Sequence, residues 1–155
     1  MALQEQHELD QQLAQFRLAF DTDGLHGALR YLNARTTFRY TAVYRLDGQM
    51  MCNIYLCDRQ DENPTSLTEV PLCDSFCQFV MRDNGFNTVN SANDARLRGH
   101  PQQGVVNSYF GLPLSRKAGT IYGTLCHFNV EPMMIPDGEI PLLEAVSPVL
   151  MDQLD

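Results

Sequence analysis

Residues 107–128 decide the fold. They read Asn107-Ser-Tyr-Phe-Gly-Leu-Pro-Leu114, then a polar stretch over 115–119, then Thr120-Ile-Tyr-Gly-Thr-Leu-Cys-His-Phe128. Two apolar, aromatic-rich runs therefore flank a short connection that contains lysine and glycine. This arrangement is typical of a β-hairpin. The sequence predicts two antiparallel strands joined by a turn at 115–119.

An alternating pattern earlier in the chain predicts a second hairpin. The residues on one predicted face of its first strand are Phe38, Tyr40, Ala42, Tyr44 and Leu46. The residues on the opposite face are Arg39, Thr41, Val43 and Arg45. Asp47-Gly48 is a two-residue type I′ turn signal, so residues 49–57 are expected to return as the partner strand.

Helical periodicity occurs at both ends of the chain. The first apolar stripe consists of Leu9, Leu13, Phe16 and Phe20. Residues 21–24 should break this helix, and Asp23 can cap a second one. The stripe of that second helix is Leu25, Ala28, Leu29 and Leu32. A last helix is expected from about Asp137, with Pro148 kinking it or shifting its start. Its stripe is Ile140, Leu143, Val146 and Leu150.

The middle of the chain predicts one more helix and one short strand. Residues 58–66 form a polar loop, and residues 71–83 look helical, followed by an Asn84-Gly85 stop. On that helix one face would carry Cys73, Phe76, Cys77 and Val80. Residues 86–90 read as a strand and 91–101 as a brief helical turn. The whole pattern predicts an α+β domain over 1–155, an antiparallel sheet with helices on both faces.

Composition excludes several classes of function. The chain has 155 residues, is 44% hydrophobic and 19% charged, and is therefore globular. It has no apolar run long enough for a transmembrane helix and no secretory leader, so a cytoplasmic location without membrane association is expected. A net charge of −8 makes nucleic acid a poor partner. The five cysteines are expected to be thiols in a reducing compartment.

Four patches resemble GAF domains. In residues 107–128, a Ser-Tyr-x-Gly-x-Pro-Leu strand turns back into a Gly-Thr-Leu-Cys strand. The other patches are residues 40–45, 74–80 and 93–101, and they occur in the family's order. The resemblance implies a PAS-related antiparallel sheet with the terminal helices on one face and a cross helix plus loops on the other. PAS domains are the nearest rival, but they lack the long N-terminal helical pair.

The resemblance also implies a ligand site on the sheet face under the cross helix. Val43-Tyr44-Arg45 is similar to a ligand-facing run in phytochrome-like GAF domains. The candidate ligand-binding residues are Ala42, Tyr44, Phe76, Cys77, Tyr109, Gly111, Cys126 and Phe128. Such a cavity would be mostly apolar with a few hydroxyl and thiol groups. The alternative is that these side chains simply fill the core. No cofactor is specified, and the ligand is an unidentified small molecule.

The cysteines leave two chemical alternatives open. Cys73 and Cys77 stand four apart, so on a helix they could begin a metal site. Cys126 and His127 do not complete it, because adjacent strand residues point to opposite faces; a packed helix face with no metal is expected instead. Some GAF proteins reduce free methionine sulfoxide through paired thiols. The spacing of Cys52, Cys57, Cys73, Cys77 and Cys126 does not reproduce their pattern.

The sequence does not match the ligand-binding motifs of two other GAF subfamilies, and its histidines do not indicate a catalytic site. The cyclic-nucleotide signature is present only in fragments over 128–139, and Asp74-Ser-Phe-Cys77 has the letters of a bilin-attachment motif in the wrong order. His100 is expected to pack a loop. His127 should face the helical layer as a buried neutral imidazole, because it is adjacent to Cys126 on a strand.

The leading functional hypothesis is a small-molecule sensor that transmits ligand state through its terminal helices to a partner or output domain. In GAF proteins these helices often form a dimer interface, so a homodimer is expected. The residues that could supply that surface are Phe16, Phe20, Ile140, Leu143 and Leu150. One alternative is a thiol-dependent reductase of free methionine sulfoxide. The other is a ligand-free dimerisation or docking module.

Overall fold

The computed structural model describes residues 2–62 and 69–154 as one antiparallel sheet flanked by helices. The helices are α1 (Ala2–Ala34), α2 (Cys77–Asp83) and α3 (Glu139–Leu154). The strands are β1 (Tyr40–Asp47), β2 (Met50–Asp58), β3 (Glu69–Pro71), β4 (Phe86–Thr88), β5 (Ser108–Ser115) and β6 (Ile121–Asn129). Short 3-10 turns cover Leu72–Asp74, Ser91–Asn93 and Ala95–Leu97.

The sheet has the order β3-β2-β1-β6-β5-β4, so both predicted hairpins are present and lie side by side. β1 pairs with β6 at the centre, where Ala42 lies opposite Cys126 and Tyr44 opposite Thr124. The β1–β2 ladder slips by one residue after Val43. The polar loop predicted over 58–66 lies partly outside the described residues.

Each face of the sheet carries its own core. On one face, α1 and α3 pack against side chains such as Val43, Phe110 and Leu125. On the other face, α2 and the 3-10 turns cover Ala42, Tyr109 and their neighbours. This arrangement, with helices on both faces of one sheet, confirms the α+β class and the predicted division between the terminal helices and the cross helix.

The predicted break in the N-terminal helix is confirmed. α1 runs over Ala2–Ala34, but Asp23 and Gly24 leave helical geometry, with φ +64° at Gly24. A positive φ strains residues with a side chain, so a glycine suits the break. The two arms then pack separately, with Phe16 in the first arm and Leu29 in the second fully buried.

The helix predicted over 71–83 is wrong in its first half. Residues up to Pro71 form β3, which pairs with β2, and a 3-10 turn follows. Ser75 is extended, and its Oγ accepts a hydrogen bond from the Cys77 N–H at 3.1 Å. This bond satisfies a free N–H at the start of α2 and favours a helix that begins there. Cys73 and Cys77 therefore do not share a helix face.

Two smaller expectations also change. Phe38 precedes β1 and stacks on His127, with ring centroids 5.6 Å apart, so it lies on the helical side and not beside Tyr40. The alternating pattern fails there because the strand has not yet begun. α3 begins at Glu139, close to the predicted start, and runs through Pro148 to Leu154.

The apolar side chains proposed for a dimer surface are mostly used within the chain. Phe16, Leu143 and Leu150 are fully buried, whereas Phe20 and Ile140 keep part of their surface exposed. The homodimer stays a prediction, and its surface would have to consist largely of other residues. Among the described residues, no helix is long and apolar enough to cross a membrane.

The close approach of β1 and β6 at Gly123 leads to a stability prediction. A Cβ at Gly123 would overlap the backbone carbonyl of Tyr44. We expect Gly123→Ala to lower the free energy of unfolding by at least about 2 kcal/mol, because neither strand can move without breaking the ladder. Urea unfolding measures the loss. Gly48→Ala is the control, since it has open space at φ +61° and should cost only about 1 kcal/mol. Equal losses would contradict the clash.

Candidate functional site

The candidate site lies on the sheet face that is turned away from the terminal helices. Two rows of side chains cross three neighbouring strands there. One row contains only small residues, with Ala42 opposite Cys126 and Cys126 opposite Gly111. The next row is aromatic, with Tyr40 opposite Phe128 and Phe128 opposite Tyr109. The small row leaves space above the sheet, and the aromatic row borders that space.

The aromatic row is stacked. The ring of Phe128 lies 4.8 Å from that of Tyr40 and 6.4 Å from that of Tyr109, measured between centroids. Phe76, directly before α2, meets the Tyr109 ring edge-on at 5.7 Å and an interplanar angle of 84°. Offset and edge-to-face pairs are the favoured aromatic geometries. These contacts hold the rings at fixed positions around the space.

Tyr109 occupies its position because residue 111 is glycine. A Cβ at Gly111 would lie 2.6 Å from the Tyr109 hydroxyl oxygen, so the phenol ring lies directly over the glycine. Its hydroxyl is 3.3 Å from Cys77 Sγ, and that sulfur is also 3.3 Å from Thr124 Oγ1. Burial raises the pKa of Tyr109, and burial likewise raises the pKa of Tyr44. Both phenols are neutral at ordinary pH and can donate hydrogen bonds.

A cavity of about 260 Å³ opens between these rings, α2 and the loop before β5. Five of the eight predicted residues line it, namely Tyr44, Phe76, Cys77, Tyr109 and Phe128. The other three, Ala42, Gly111 and Cys126, form the small row on the same sheet face and do not line the cavity. The structure thus brings all eight to one sheet face. Whether they bind a ligand stays a prediction.

Sequence reasoning missed the other residues that line the cavity. They are Glu69, Val70, Asp74, Ser75, Gln102 and Val106. Glu69 and Val70 were missed because β3 was not recognised, and Asp74 and Ser75 because a continuous helix was expected. Gln102 and Val106 lie in a loop without periodicity, so no pattern in the sequence pointed to them.

The polar atoms at the cavity are acidic or neutral. Asp74 is half-buried and lies on the solvent side of the cavity, where its carboxylate accepts a weak hydrogen bond from the Cys73 thiol at 3.8 Å. Glu69 alternates with Val70 along β3, so its carboxylate lies on the other face of the sheet, 3.9 Å from Cys52 Sγ. Among the described lining residues there is no lysine, arginine or histidine. The cavity therefore has the Asp74 carboxylate on its solvent side and aromatic rings inside.

A hydrogen-bonded loop supports this side of the cavity. Asp94 accepts from the Arg96 N–H, from its guanidinium at 2.6 and 2.9 Å, and from Thr88 Oγ1 at 2.8 Å. These bonds, the Arg96 guanidinium first, hold the pKa of Asp94 down at about 2. The turn that Asp94 begins buries Leu97 in the site-side core. Asp94 thus stabilises the loop that carries Gln102 and Val106.

Two further openings lie away from this face. One, of about 590 Å³, is lined by residues of α1, of β2 and of the segment after β2, including Arg30, Cys57 and Glu62. The other, of about 660 Å³, lies between the start of α1 and the start of α3. Neither contains a predicted site residue.

Of the five cysteines, Cys77 and Cys126 lie close together on the cavity side of the sheet. Cys73 is exposed, whereas Cys52, Cys57, Cys77 and Cys126 are buried. Burial raises the pKa of Cys126, and its neighbour Cys77 adds to the shift. In the part of the chain that the structure describes, no group of three or more His, Cys, Asp or Glu side chains is placed to hold a metal ion.

Comparison with known proteins identifies the fold. No protein-family model matches the sequence, and no curated protein matches it either. Among solved structures, a protein described as a GAF sensor from Burkholderia vietnamiensis superposes with a TM-score of 0.72 at 13% identity, covering 96% of this chain and 94% of that one. The GAF domain of a phosphoenolpyruvate-protein phosphotransferase from Acinetobacter gives 0.68 at 17% identity, covering 92% and 91%.

An enzyme shares the same fold. The type II free methionine-R-sulfoxide reductase of Thermoplasma acidophilum superposes with a TM-score of 0.65 at 13% identity, covering 88% of this chain and 92% of that one. At such identities the likeness concerns the fold alone. The chain therefore has the fold of a GAF domain, as its four sequence patches implied.

The contacts of Asp94 lead to a pH prediction. A folded-state pKa near 2, below the ordinary 3.8, means that its stabilisation is full above about pH 4 and is lost as the pH falls towards 2. We expect Asp94→Asn to cost about 1 kcal/mol at pH 7, because the neutral amide loses the charge-assisted hydrogen bonds from the Arg96 guanidinium. The difference in the free energy of unfolding between this variant and wild type should shrink below pH 4. Denaturant unfolding across pH 2–7 measures both effects.

Asp83 provides a matched control, because it also pairs with a neighbouring arginine but lies fully exposed. Asp83→Asn should leave the unfolding midpoint unchanged. A constant difference between Asp94→Asn and wild type from pH 7 to pH 2 would show that the carboxylate charge plays no part.

The burial of the thiols leads to a reactivity prediction. We expect the native protein to show one rapidly reacting thiol with Ellman's reagent, because Cys73 is the exposed cysteine. Cys73→Ser should abolish the fast phase, and Cys126→Ser should leave it intact. A fast phase that survives in Cys73→Ser would place a reactive thiol at one of the buried positions instead.

Proposed function

We propose that this chain is a sensing domain that binds a small molecule in the cavity between the sheet and α2. The observation that carries the proposal is the convergence of Tyr44, Phe76, Cys77, Tyr109 and Phe128 around one open cavity of about 260 Å³. The space is mostly apolar and contains a few fixed hydroxyl and thiol groups, which is the usual composition of a small-molecule site. The GAF fold of sensor proteins such as that of Burkholderia vietnamiensis supports the same function.

The proposal includes a route from the cavity to the terminal helices through β6. Phe128 borders the cavity, and the next residue towards the N-terminus, His127, points to the opposite face. There the His127 Nδ1 is 2.7 Å from Thr41 Oγ1, and its Nε2 is 3.2 Å from Glu139 Oε1. A shift of β6 on ligand binding would therefore act directly on the first residue of α3.

The same contact reaches the end of α1. Glu139 is buried and also accepts a hydrogen bond from Arg35 Nε at 3.3 Å. Arg35 directly follows the last residue of α1. Asn33, near the end of α1, donates to Thr41 Oγ1 at 3.0 Å. One polar network thus joins the central strands to both terminal helices. In the proposal, these helices pass the change to a partner protein or an output domain.

For transmission, the ligand must bind one arrangement of the helices more tightly than another. A ligand with equal affinity for two states shifts nothing. The polar network offers a physical basis for two states. A buried polar group that loses its hydrogen bond is left unpaired at a cost in free energy, so the network favours arrangements in which its hydrogen bonds are fully made. A homodimer through the terminal helices remains part of the proposal.

The thiol contacts do not favour a reductase. A nucleophilic cysteine needs a nearby cation, a metal or a helix N-terminus that favours the thiolate. Cys77 is the first residue of the short helix α2, but its Sγ contacts the neutral hydroxyls of Tyr109 and Thr124, and burial raises the pKa of its neighbour Cys126. Sensing therefore fits the site better than sulfoxide reduction does.

A cavity-filling variant tests the proposal. Val106 lines the cavity, whereas Val105 beside it is 56% exposed and does not. We expect ligand-observed NMR with a library of small fragments to give hits that Val106→Phe loses and Val105→Phe keeps. Val106→Met is a second, milder variant, expected to weaken the same hits. Hydrogen exchange near Glu139 should slow when wild type is saturated with the strongest hit.

The outcomes separate the alternatives. Fragment binding that Val106→Phe leaves unchanged would refute the cavity as the ligand site. A complete absence of binding, together with a stable dimer, would favour the docking module. Binding without any change in exchange at α3 would keep the ligand site and refute the proposed route through β6.

A further inference from the structure

We infer that the cavity takes an uncharged molecule whose carbonyl oxygen accepts a hydrogen bond from the Tyr44 hydroxyl. The carbonyl is carried on a small apolar body, as in a ketone, an ester or a lactone. This inference rests on the proposed function, since it names the chemical class of ligand for the same cavity. Its basis is a phenol that lines the cavity and has no hydrogen-bond partner within the described chain.

The Tyr44 hydroxyl is an unpaired donor at the cavity. Tyr44 is only 7% exposed, and no described residue forms a hydrogen bond with its oxygen. Across the described ranges, Asn53 Oδ1 is the only side-chain oxygen or nitrogen that is both sealed from solvent and unpaired. The Tyr44 oxygen therefore keeps access to open space, and the space beside it is the cavity that this residue lines.

The second phenol at the cavity is already bonded. The Tyr109 hydroxyl is 3.3 Å from Cys77 Sγ and needs no ligand to satisfy it. Burial raises the pKa of Tyr44, so its proton stays on the oxygen at ordinary pH. When an apolar ligand displaces water from this oxygen, the proton is left unpaired at a cost in free energy, unless the ligand supplies an acceptor. The hydroxyl thus selects for an acceptor.

The neighbouring polar groups add donors but no positive charge. Ser75 Oγ accepts the Cys77 N–H, which leaves its own O–H to donate. The side-chain amide of Gln102 lines the cavity and has no partner among the described residues. No lysine, arginine or histidine belongs to the described lining, so an anion would lack a positive partner there. Any charged group would also lose hydration in this apolar space, which favours an uncharged ligand.

The apolar side chains around these donors limit the size of the ligand. Val70, Val106 and Phe128 line the cavity and would contact the apolar body. A cavity of about 260 Å³ is slightly smaller than the roughly 300 Å³ at the lower end of drug-binding pockets. The ligand is therefore a small molecule with one carbonyl group near Tyr44.

Probes of one shape test the inference. Cyclohexanone, methylenecyclohexane and cyclohexylammonium share a six-membered ring, and they carry a carbonyl oxygen, a hydrocarbon group and a charged donor, respectively. Affinities are measured by NMR titration at pH 7, and only binding that Val106→Phe abolishes is counted. We expect cyclohexanone to bind more tightly than cyclohexylammonium, because the charged group loses more hydration.

Tyr44→Phe isolates the hydroxyl, because it keeps the ring and removes one oxygen. We expect it to lower the ratio of cyclohexanone to methylenecyclohexane affinity about two- to twelve-fold, as the loss of one neutral hydrogen bond would. The unfolding midpoint of this variant should not fall below that of wild type, since no hydrogen bond within the described chain is lost.

Tyr31→Phe is the matched control. It also removes one phenol oxygen, but the Tyr31 hydroxyl donates to Gln15 Oε1 at 2.9 Å and lies on the helical side of the sheet. This control should leave the affinity ratio unchanged. A ratio that falls equally in both variants would overturn the assignment to Tyr44.

The other failures are distinguishable. An unchanged ratio in Tyr44→Phe overturns the carbonyl class, while Val106-dependent binding of the probes keeps the proposed function. Cyclohexylammonium that binds at this site more tightly than cyclohexanone overturns the uncharged class. A lower unfolding midpoint in Tyr44→Phe would show that the hydroxyl is already bonded and overturns the unpaired donor. If no probe shows Val106-dependent binding, the inference fails, and the fragment library decides separately whether the cavity binds any ligand.

Discussion

The pairing of β1 with β6 is the constraint on which the rest of this structure depends. These two strands are far apart in sequence, and they join the two hairpins into one sheet. Their backbones approach so closely at Gly123 that a side chain would not fit beside Tyr44. The register of this pair determines both faces of the sheet at once. It places Ala42 opposite Cys126 on the cavity side and Thr41 opposite His127 on the helical side.

The cavity is a consequence of uneven side-chain size along that register. Protein interiors are close-packed, so a space persists only where the surrounding groups cannot collapse into it. Here a row of small residues lies beside a row of stacked rings, and Gly111 lets the Tyr109 phenol lie flat on the sheet. The sharp turn at Ser75 then brings Phe76 and α2 over the space. Asp74 directly precedes this turn, which places its carboxylate on the solvent side of the cavity.

The polar network on the opposite face gives β6 its second role. His127 is hydrogen-bonded to Thr41 through Nδ1 and to Glu139 through Nε2, and all three side chains are buried. Because unpaired buried polar groups are costly, this contact fixes the start of α3 against the central strands. A strand that borders a cavity with one residue and holds a helix with the next is suited to coupling the two.

Local patterns predicted the two hairpins and the terminal helices with a break within residues 21–24. These features depend on periodicity and turn residues, and both act over a few neighbouring positions. The sheet face of the candidate site and the rings of Tyr44, Phe76, Tyr109 and Phe128 were implied by the resemblance to GAF domains. The separation of Cys73 from Cys77, and the meeting of Val70 and Asp74 at one cavity, required the tertiary structure. It alone joined His127 to Glu139, since such contacts arise from distant segments whose meeting leaves no periodic trace in the chain.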